Sequence, residues 1–379
     1  MTTLFSHARK LDAAGQVDDF WMLVDGDTIV ETGYGESPAS RADSIVDVGG
    51  HWLTPGFIDL HCHGGGGFAF EDGTDAILSA LATHRAHGTT RSVISLVSNP
   101  IAALETSLGQ IADLADLDPL ILGSHLEGPF ISPERRGAHN PDFLLEPQPA
   151  ELERLLDAAR GTLRQVTIAP ELPNAFDLIN VLVENSVVVA IGHSTVDFAL
   201  ARRAFDSGAR LLTHTFNAMP GIDHRAPGPV MAAFEDERVV LELILDGEHV
   251  HPDVAALAFA SAPGRVALIT DAMAAAGSHD GAYAIGSLEV EVRDGVAHLI
   301  GTNSLAGSTL VLDRALWVAI ERSHVAPVDA VTALTLTPAR VLGLEARHGL
   351  LAPGYVADAV TLDRQWTAEH VWANGAPLA

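Results

Sequence analysis

Lysine is almost missing from this chain: Lys10 is the only one, and the other basic residues are arginines. Basic side chains total 22 against 49 acidic ones, a formal charge of −27 over 379 residues. So acidic a chain repels nucleic acid and anionic membrane surfaces, and neither is expected as a partner. An anionic substrate would need local cations or metals to offset that field. Cysteine is as scarce. The single Cys62 excludes an internal disulfide and fits a reducing cytoplasm, the expected location. No apolar run approaches the roughly 18 residues of a membrane span, and none near the N-terminus reads as a secretory signal. Aromatics are few at 6%, yet 47% of residues are apolar and 19% charged. That balance is globular, and the length suffices for one large core with a smaller companion.

Residues 1–53 read as short strands. FWMLVDGDTIVETG and SIVDVGGHWL cluster β-formers between Gly and Asp turns. The tail, GLLAPGYVADAVTLD and TAEHVWANG, reads alike. The two ends, 1–53 and 346–379, are expected to pair into one small β domain. Between them, over 54–345, short apolar runs alternate with helical stretches. The runs are FIDLHCH, TTRSVISLVS, LILGSHLEG, LRQVTIAPE, VVVAIGHS, ARLLTHTFN, VVLELILDG and VALITDAM. Helical candidates such as DAILSALATHRAHG and PAELERLLDAAR lie between them. Strands alternating with helices argue for a parallel sheet, and this number of them fits an α/β chain built as a (β/α)8 TIM-like barrel. A doubly wound open sheet competes, but no G-x-G-x-x-G follows a first strand.

Metal-type side chains recur where these runs end. His61 and His63 close the first, His125 and Glu127 the third, His193 the fifth, His214 the sixth, Asp246 the seventh and Asp271 the eighth. Barrel enzymes place their chemistry at that end of the strands. In a strand, residues i and i+2 share a face, so His61 and His63 can reach one metal while Cys62 points away into the core. The glycines that follow let the backbone turn closely around the site. Five N/O ligands (His61, His63, Glu127, His193 and His214) exceed what one tetrahedral zinc needs. They suggest two divalent metals per subunit sharing Glu127, with Zn, Fe, Mn and Co all compatible with such ligands. Asp271, stranded after buried aliphatics, suits a general base.

Together, PGFIDLHCHG, HLEGPF, GHS, THTFNAM and TDAM resemble the amidohydrolase superfamily. HLEGPFISPERRGAHNP, THTFNAMPGIDHRAPG, LDGEHVHP, ITDAMAAAG and LAGSTL are similar to its branch that deacetylates N-acetylglucosamine 6-phosphate, and they follow in that branch's order over nearly the whole chain. The resemblance implies hydrolysis of the acetamide to glucosamine 6-phosphate and acetate. It implies a barrel with a small β-sandwich built from both chain ends, usually as a homodimer. Glu127, His193 and His214 then match the core metal site, and His61 with His63 the additional site of binuclear members. Asp271 matches the catalytic acid/base and His139 the histidine that polarises the amide carbonyl. Asn217, Ala218, Arg225 and His251 match positions that hold the sugar phosphate, the arginine reaching the neighbouring subunit's site. Gly307 falls in the segment lining the sugar.

One departure is informative. Many binuclear relatives bridge their metals with a carbamylated lysine, and Lys10 lies outside the barrel segment. Glu127 can take that place, which argues against dihydroorotase-like and hydantoinase-like activities. Another amidohydrolase activity stays open, on N-acyl amino acids or adenine, as does a non-enzymatic scaffold. Whether the Arg135–Arg136 loop touches substrate also stays open.

Overall fold

The computed structural model describes residues 1–378. Eight parallel strands lie side by side in chain order: β1 (Phe57–Cys62), β2 (Thr89–Val97), β3 (Ile121–Glu127), β4 (Leu163–Ile168), β5 (Val188–Ile191), β6 (Leu211–Leu212), β7 (Val240–Ile244) and β8 (Val266–Ile269). Parallel neighbours need long crossovers, and helices such as Thr74–Ala86, Ile101–Leu117 and Pro149–Ala159 supply them. The first and last strands join just past their ends. The Asp271 N–H donates to the His61 carbonyl at 2.8 Å and the His63 N–H to the Ala272 carbonyl at 2.8 Å. The barrel is therefore stitched shut at the rim where the polar residues were expected.

Strand periodicity sorts the side chains. Ile94, Leu96, Leu126, Val166 and Ile168 join one apolar cluster with the surrounding helices. Their alternate neighbours form a polar belt across the barrel interior. Ser95 Oγ meets His125 Nδ1 at 2.9 Å, His125 Nε2 meets Thr167 Oγ1 at 2.9 Å, and Thr167 meets Thr213 at 2.9 Å. Buried hydroxyls and imidazoles are tolerated there because they bond one another.

The chain ends form a second sheet. Thr2–Asp12, Gly15–Asp25, Thr28–Tyr34, Ser44–Asp47 and Trp52–Pro55 combine with Ala359–Leu362, Ala368–Ala373 and Ala376–Pro377. The ends meet where Ala359–Leu362 runs antiparallel to Trp52–Pro55. The sheet curls over its own core, where Phe5 meets Trp372 edge-on at 5.0 Å. Lys10 belongs to this sheet and pairs with Asp12 at 2.9 Å, far from any bridging role in the barrel. Arg91 on β2 ties the two parts together, its Nε 2.7 Å from Asp358, both groups buried.

One element is unexpected. Between β8 and the last helices lies an antiparallel meander, Gly281–Ile285, Leu288–Arg293 and Val296–Leu299, and its Ile285 lines the cavity at the barrel mouth. Among the described residues, no helix is long and apolar enough to cross a membrane.

Candidate active site

Glu127 ends β3 pointing into the barrel mouth, and five imidazoles surround it. His214 Nε2 lies 3.0 Å from Oε1, His193 Nε2 3.1 Å and His61 Nε2 3.4 Å. His63 Nε2 lies 3.1 Å from Oε2 and His139 Nε2 3.4 Å. The H-x-H pair behaves as strand geometry requires: the two Nε2 atoms meet at 3.0 Å. Cys62 points the other way, its Sγ 3.3 Å from the buried His84. Asp271 Oδ1 faces the pair, 3.5 Å from His61 and 3.3 Å from His63. Two donor groups thus share one carboxylate. His61, His63, Glu127 and Asp271 form one, with ligating atoms within 4.8 Å of one another; Glu127, His139 and His193 form the other.

The backbone strains to make this arrangement. His193, His214, Ala218 and Asp271 all have positive φ (46°, 25°, 51° and 46°), a conformation L-residues avoid unless their surroundings impose it. Each follows a barrel strand, so the chain bends sharply at the rim to aim its side chains. Gly307 is needed where it stands. Its φ is 64°, and a Cβ there would lie 3.0 Å from the Asp271 carbonyl. The glycines after His63 also turn the chain: Gly64–Gly65 pairs with Phe68–Ala69 around a left-handed Gly66–Gly67 corner.

Hydrogen-bond partners fix which nitrogens carry protons. His193 donates Nδ1–H to the Arg135 carbonyl at 2.8 Å, leaving its Nε2 lone pair on the site. His61 turns Nδ1 toward Glu242 at 3.4 Å, so its Nε2 is likewise bare. His139 is set the other way. The Ser98 N–H donates to its Nδ1 at 3.2 Å, which leaves Nε2 to carry the proton. The Nε2 atoms of His193 and His214 sit 2.9 Å apart, both beside Glu127 Oε1. Such a group is stable only around positive charge, and this is the donor chemistry of a divalent metal centre.

The electrostatics agree. Burial would push Glu127 up, but His61 and His193 outweigh it and hold it well below the usual carboxylate range. Burial opposes ionisation of Asp271 too, yet His61 and His63 hold it low. Burial would depress His61; Glu127 and Asp271 instead raise it well above its ordinary value. His63, against the same pull of burial, is raised to about 10 by Asp271 and Glu127. The carboxylates demand cations, and metals or imidazolium protons answer that demand. His139 differs: burial dominates and pushes it down to about 4, so it stays neutral.

Above the cluster opens a cavity of about 360 Å³, whose walls include Asn217, Ala218 and Gly307 as expected, and also Arg135, His249 and Ile285. Two expected residues are not there. Arg225 stands exposed on the 221–227 loop, outside the cavity. His251 lies outside the cavity as well. It caps the helix Pro252–Ser261, accepting the Asp253 N–H at 3.2 Å, and its side chain is 71% exposed. The helix start turns it outward. His249, two residues earlier in the same DGEHVHP stretch, lines the cavity and pairs with Asp246 at 2.7 Å. Glu242 and His249 carried no distinguishing signal in the sequence.

Comparison with known proteins gives a consistent picture. Residues 52–377 match the amidohydrolase family model. An N-acetylgalactosamine-6-phosphate deacetylase from Escherichia coli O157:H7 is 37% identical over 99% of this chain and 99% of its own length. The human N-acetylglucosamine-6-phosphate deacetylase is 36% identical, with 88% of this chain and 85% of the relative covered. An aspartate-to-alanine variant of N-acetyl-D-glucosamine-6-phosphate deacetylase from Mycobacterium smegmatis, solved in complex with N-acetyl-D-glucosamine-6-phosphate, matches at TM-score 0.94. Its identity is 39%, with 100% of this chain and 99% of that chain covered.

Proposed function

Because the chain belongs to the amidohydrolase family, we propose that it hydrolyses the acetamide of N-acetylglucosamine 6-phosphate to glucosamine 6-phosphate and acetate. The observation that carries this reading is Glu127, one carboxylate within 3.4 Å of five imidazoles at the floor of an open cavity. Residues 54–345 are the catalytic barrel in this reading, with 1–53 and 346–379 its companion domain. Glu127, His193 and His214 would hold one divalent metal, and His61 and His63, beside the same carboxylate, would hold a second. When bound, the metals activate water for attack at neutral pH, lowering its pKa from about 15.7 to near 7.

The protein's own groups do the rest. Asp271, held ionised, takes the proton that water must lose and returns it to the leaving amine. His139 Nε2–H points into the same space and donates to the acetyl oxygen as negative charge grows there. Its low pKa suits this, because a neutral imidazole keeps that proton fixed for donation. Asn217, Ala218, Gly307 and His249 hold the sugar phosphate. His249 replaces His251 in that role, being the histidine of the segment that faces the cavity. Arg135 supplies the one guanidinium among the residues lining the cavity, and no carboxylate pairs with it among the described residues. In a chain of charge −27, an unpaired cation facing a pocket suits a phosphate dianion. Arg225, exposed in its own subunit, reaches the cavity of a second copy in a homodimer.

A second reading concerns the sugar. The relative that matches 99% of this chain acts on N-acetylgalactosamine 6-phosphate, which differs only at C4. Amine release should therefore be followed from both 6-phosphates and from unphosphorylated N-acetylglucosamine, using metal-loaded protein. Turnover of N-acetylglucosamine 6-phosphate with little on the neutral sugar is expected. Preference for N-acetylgalactosamine 6-phosphate selects the second reading, and activity on none of the three overturns both.

A further inference from the structure

Glu242 is fully buried in the middle of β7, inside the barrel and below the metal ligands. An ionised carboxylate in such a place costs several kcal/mol unless donors surround it. Three do. Gln165 Nε2 donates to Oε1 at 2.9 Å. The other oxygen, Oε2, lies 3.4 Å from His61 Nδ1 and 3.4 Å from the backbone N–H of His214. No lysine or arginine pairs with it among the described residues. One oxygen therefore touches a ligand from each half of the cluster: the ring of His61 and the strained backbone that carries His214.

We infer that Glu242 is a positioning residue that sets occupancy of the second metal site. The inference rests on the binuclear reading above. His61 has two nitrogens, and only one can face a metal as a bare lone pair. By accepting the Nδ1 proton, Glu242 keeps Nε2 bare and holds the ring at the angle that brings it 3.0 Å from His63 Nε2. His63 lacks such help: its Nδ1 is buried without a partner. The pair's geometry thus depends on His61, and through it on Glu242. His214 belongs to the core site and is also gripped by Glu127 and His193, so loss of Glu242 should spare it.

The test is metal titration of the full-length protein, stripped and reloaded with Mn(II) or Zn(II), followed by elemental analysis alongside thermal melts. Wild type should take up two equivalents per chain. Glu242→Ala should keep the tighter one and weaken the other by 10–100-fold. Glu242→Gln, whose amide oxygen still accepts the imidazole N–H, should restore most of that loss. The inference is overturned if Glu242→Ala binds both equivalents as tightly as wild type. It is equally overturned if both variants lose the two sites together with a lowered melting temperature, the mark of a merely structural role. Wild type that takes up no metal refutes the metal-site reading itself. If Glu242→Ala does not fold, Glu242→Met, which keeps the volume but offers the imidazole no oxygen, decides: loss of one equivalent, with the other unchanged, supports the role, and unchanged binding of both refutes it.

Discussion

At the scale of single residues, position on a strand decides which side chains become chemistry. His61 and His63 meet because a strand repeats every two residues, and that much is legible in FIDLHCH. Asp271 follows from the same logic at the end of β8. Replacing it with Asn keeps its size and removes its charge. The expected result is a drop in kcat of about 10²–10⁴-fold, read beside metal content on the same preparation. Full activity with metal retained would remove Asp271 from its role as base. His139 makes a complementary case. Its neutral state persists to about pH 4 because burial depresses it, so the acid limb of the pH–rate profile should not be its titration. His139→Gln should lower kcat while leaving the position of that limb unchanged; a limb that moves with this variant would show His139 titrating in the working range. Glu242 and His249 show where sequence reasoning stops. In VVLELILDG a Glu at every-other spacing reads like the solvent-facing residue of an ordinary strand, and only closure of the barrel turns it inward. His249 and His251 have the same chemistry and sit two apart; only the helix start at Pro252 separates the one that faces the cavity from the one that caps.

At the scale of elements, the eight strand runs are legible because each is apolar, short and bounded by turn residues. The meander over 281–299 is not. YAIGSLEVEVRDGVAHL alternates like any surface hairpin, and its meaning comes from long-range placement at the barrel mouth. The loop 132–139 also gains its role from contacts far apart in sequence. The Ser132 N–H donates to the His193 carbonyl at 2.9 Å, and the Arg135 carbonyl accepts from His193 Nδ1. The loop that presents Arg135 is thus latched twice to His193. A charge-assisted hydrogen bond is worth about 1.5–3 kcal/mol. Arg135→Ala should therefore lower kcat/KM on the 6-phosphate about 10–100-fold, mostly through KM, and leave the neutral sugar unaffected. An equal loss on both sugars would mean that the loop acts through His193 instead of through the phosphate. The neighbouring Arg136 bonds the Pro133 carbonyl at 3.3 Å and serves as the control.

At the scale of the whole molecule, the active barrel depends on a sheet assembled from both chain ends, and one buried ion pair joins them. Arg91 leaves β2 at the barrel wall and meets Asp358 through two nitrogens, at 2.7 and 3.2 Å, while a third contact reaches Asn374 at 2.7 Å. Burial alone would raise Asp358. His348 and Arg91 outweigh it and hold the carboxylate below its ordinary value. A carboxylate with a depressed folded pKa stabilises the fold at all pH above its unfolded value, near 3.9. That stabilisation is lost as pH falls through the folded value, because the unfolded chain then binds more protons. Removing one partner leaves a buried charge uncompensated, a cost of about 3–5 kcal/mol. Arg91→Ala should therefore lower the melting temperature at neutral pH, and the deficit should shrink below about pH 4 as Asp358 protonates in both proteins. Melts across pH 3–8 read this directly. If the deficit were constant across that range, the loss would come from packing of the arginine stem and not from its charge, and the two chain ends would be held to the barrel by their apolar contacts alone.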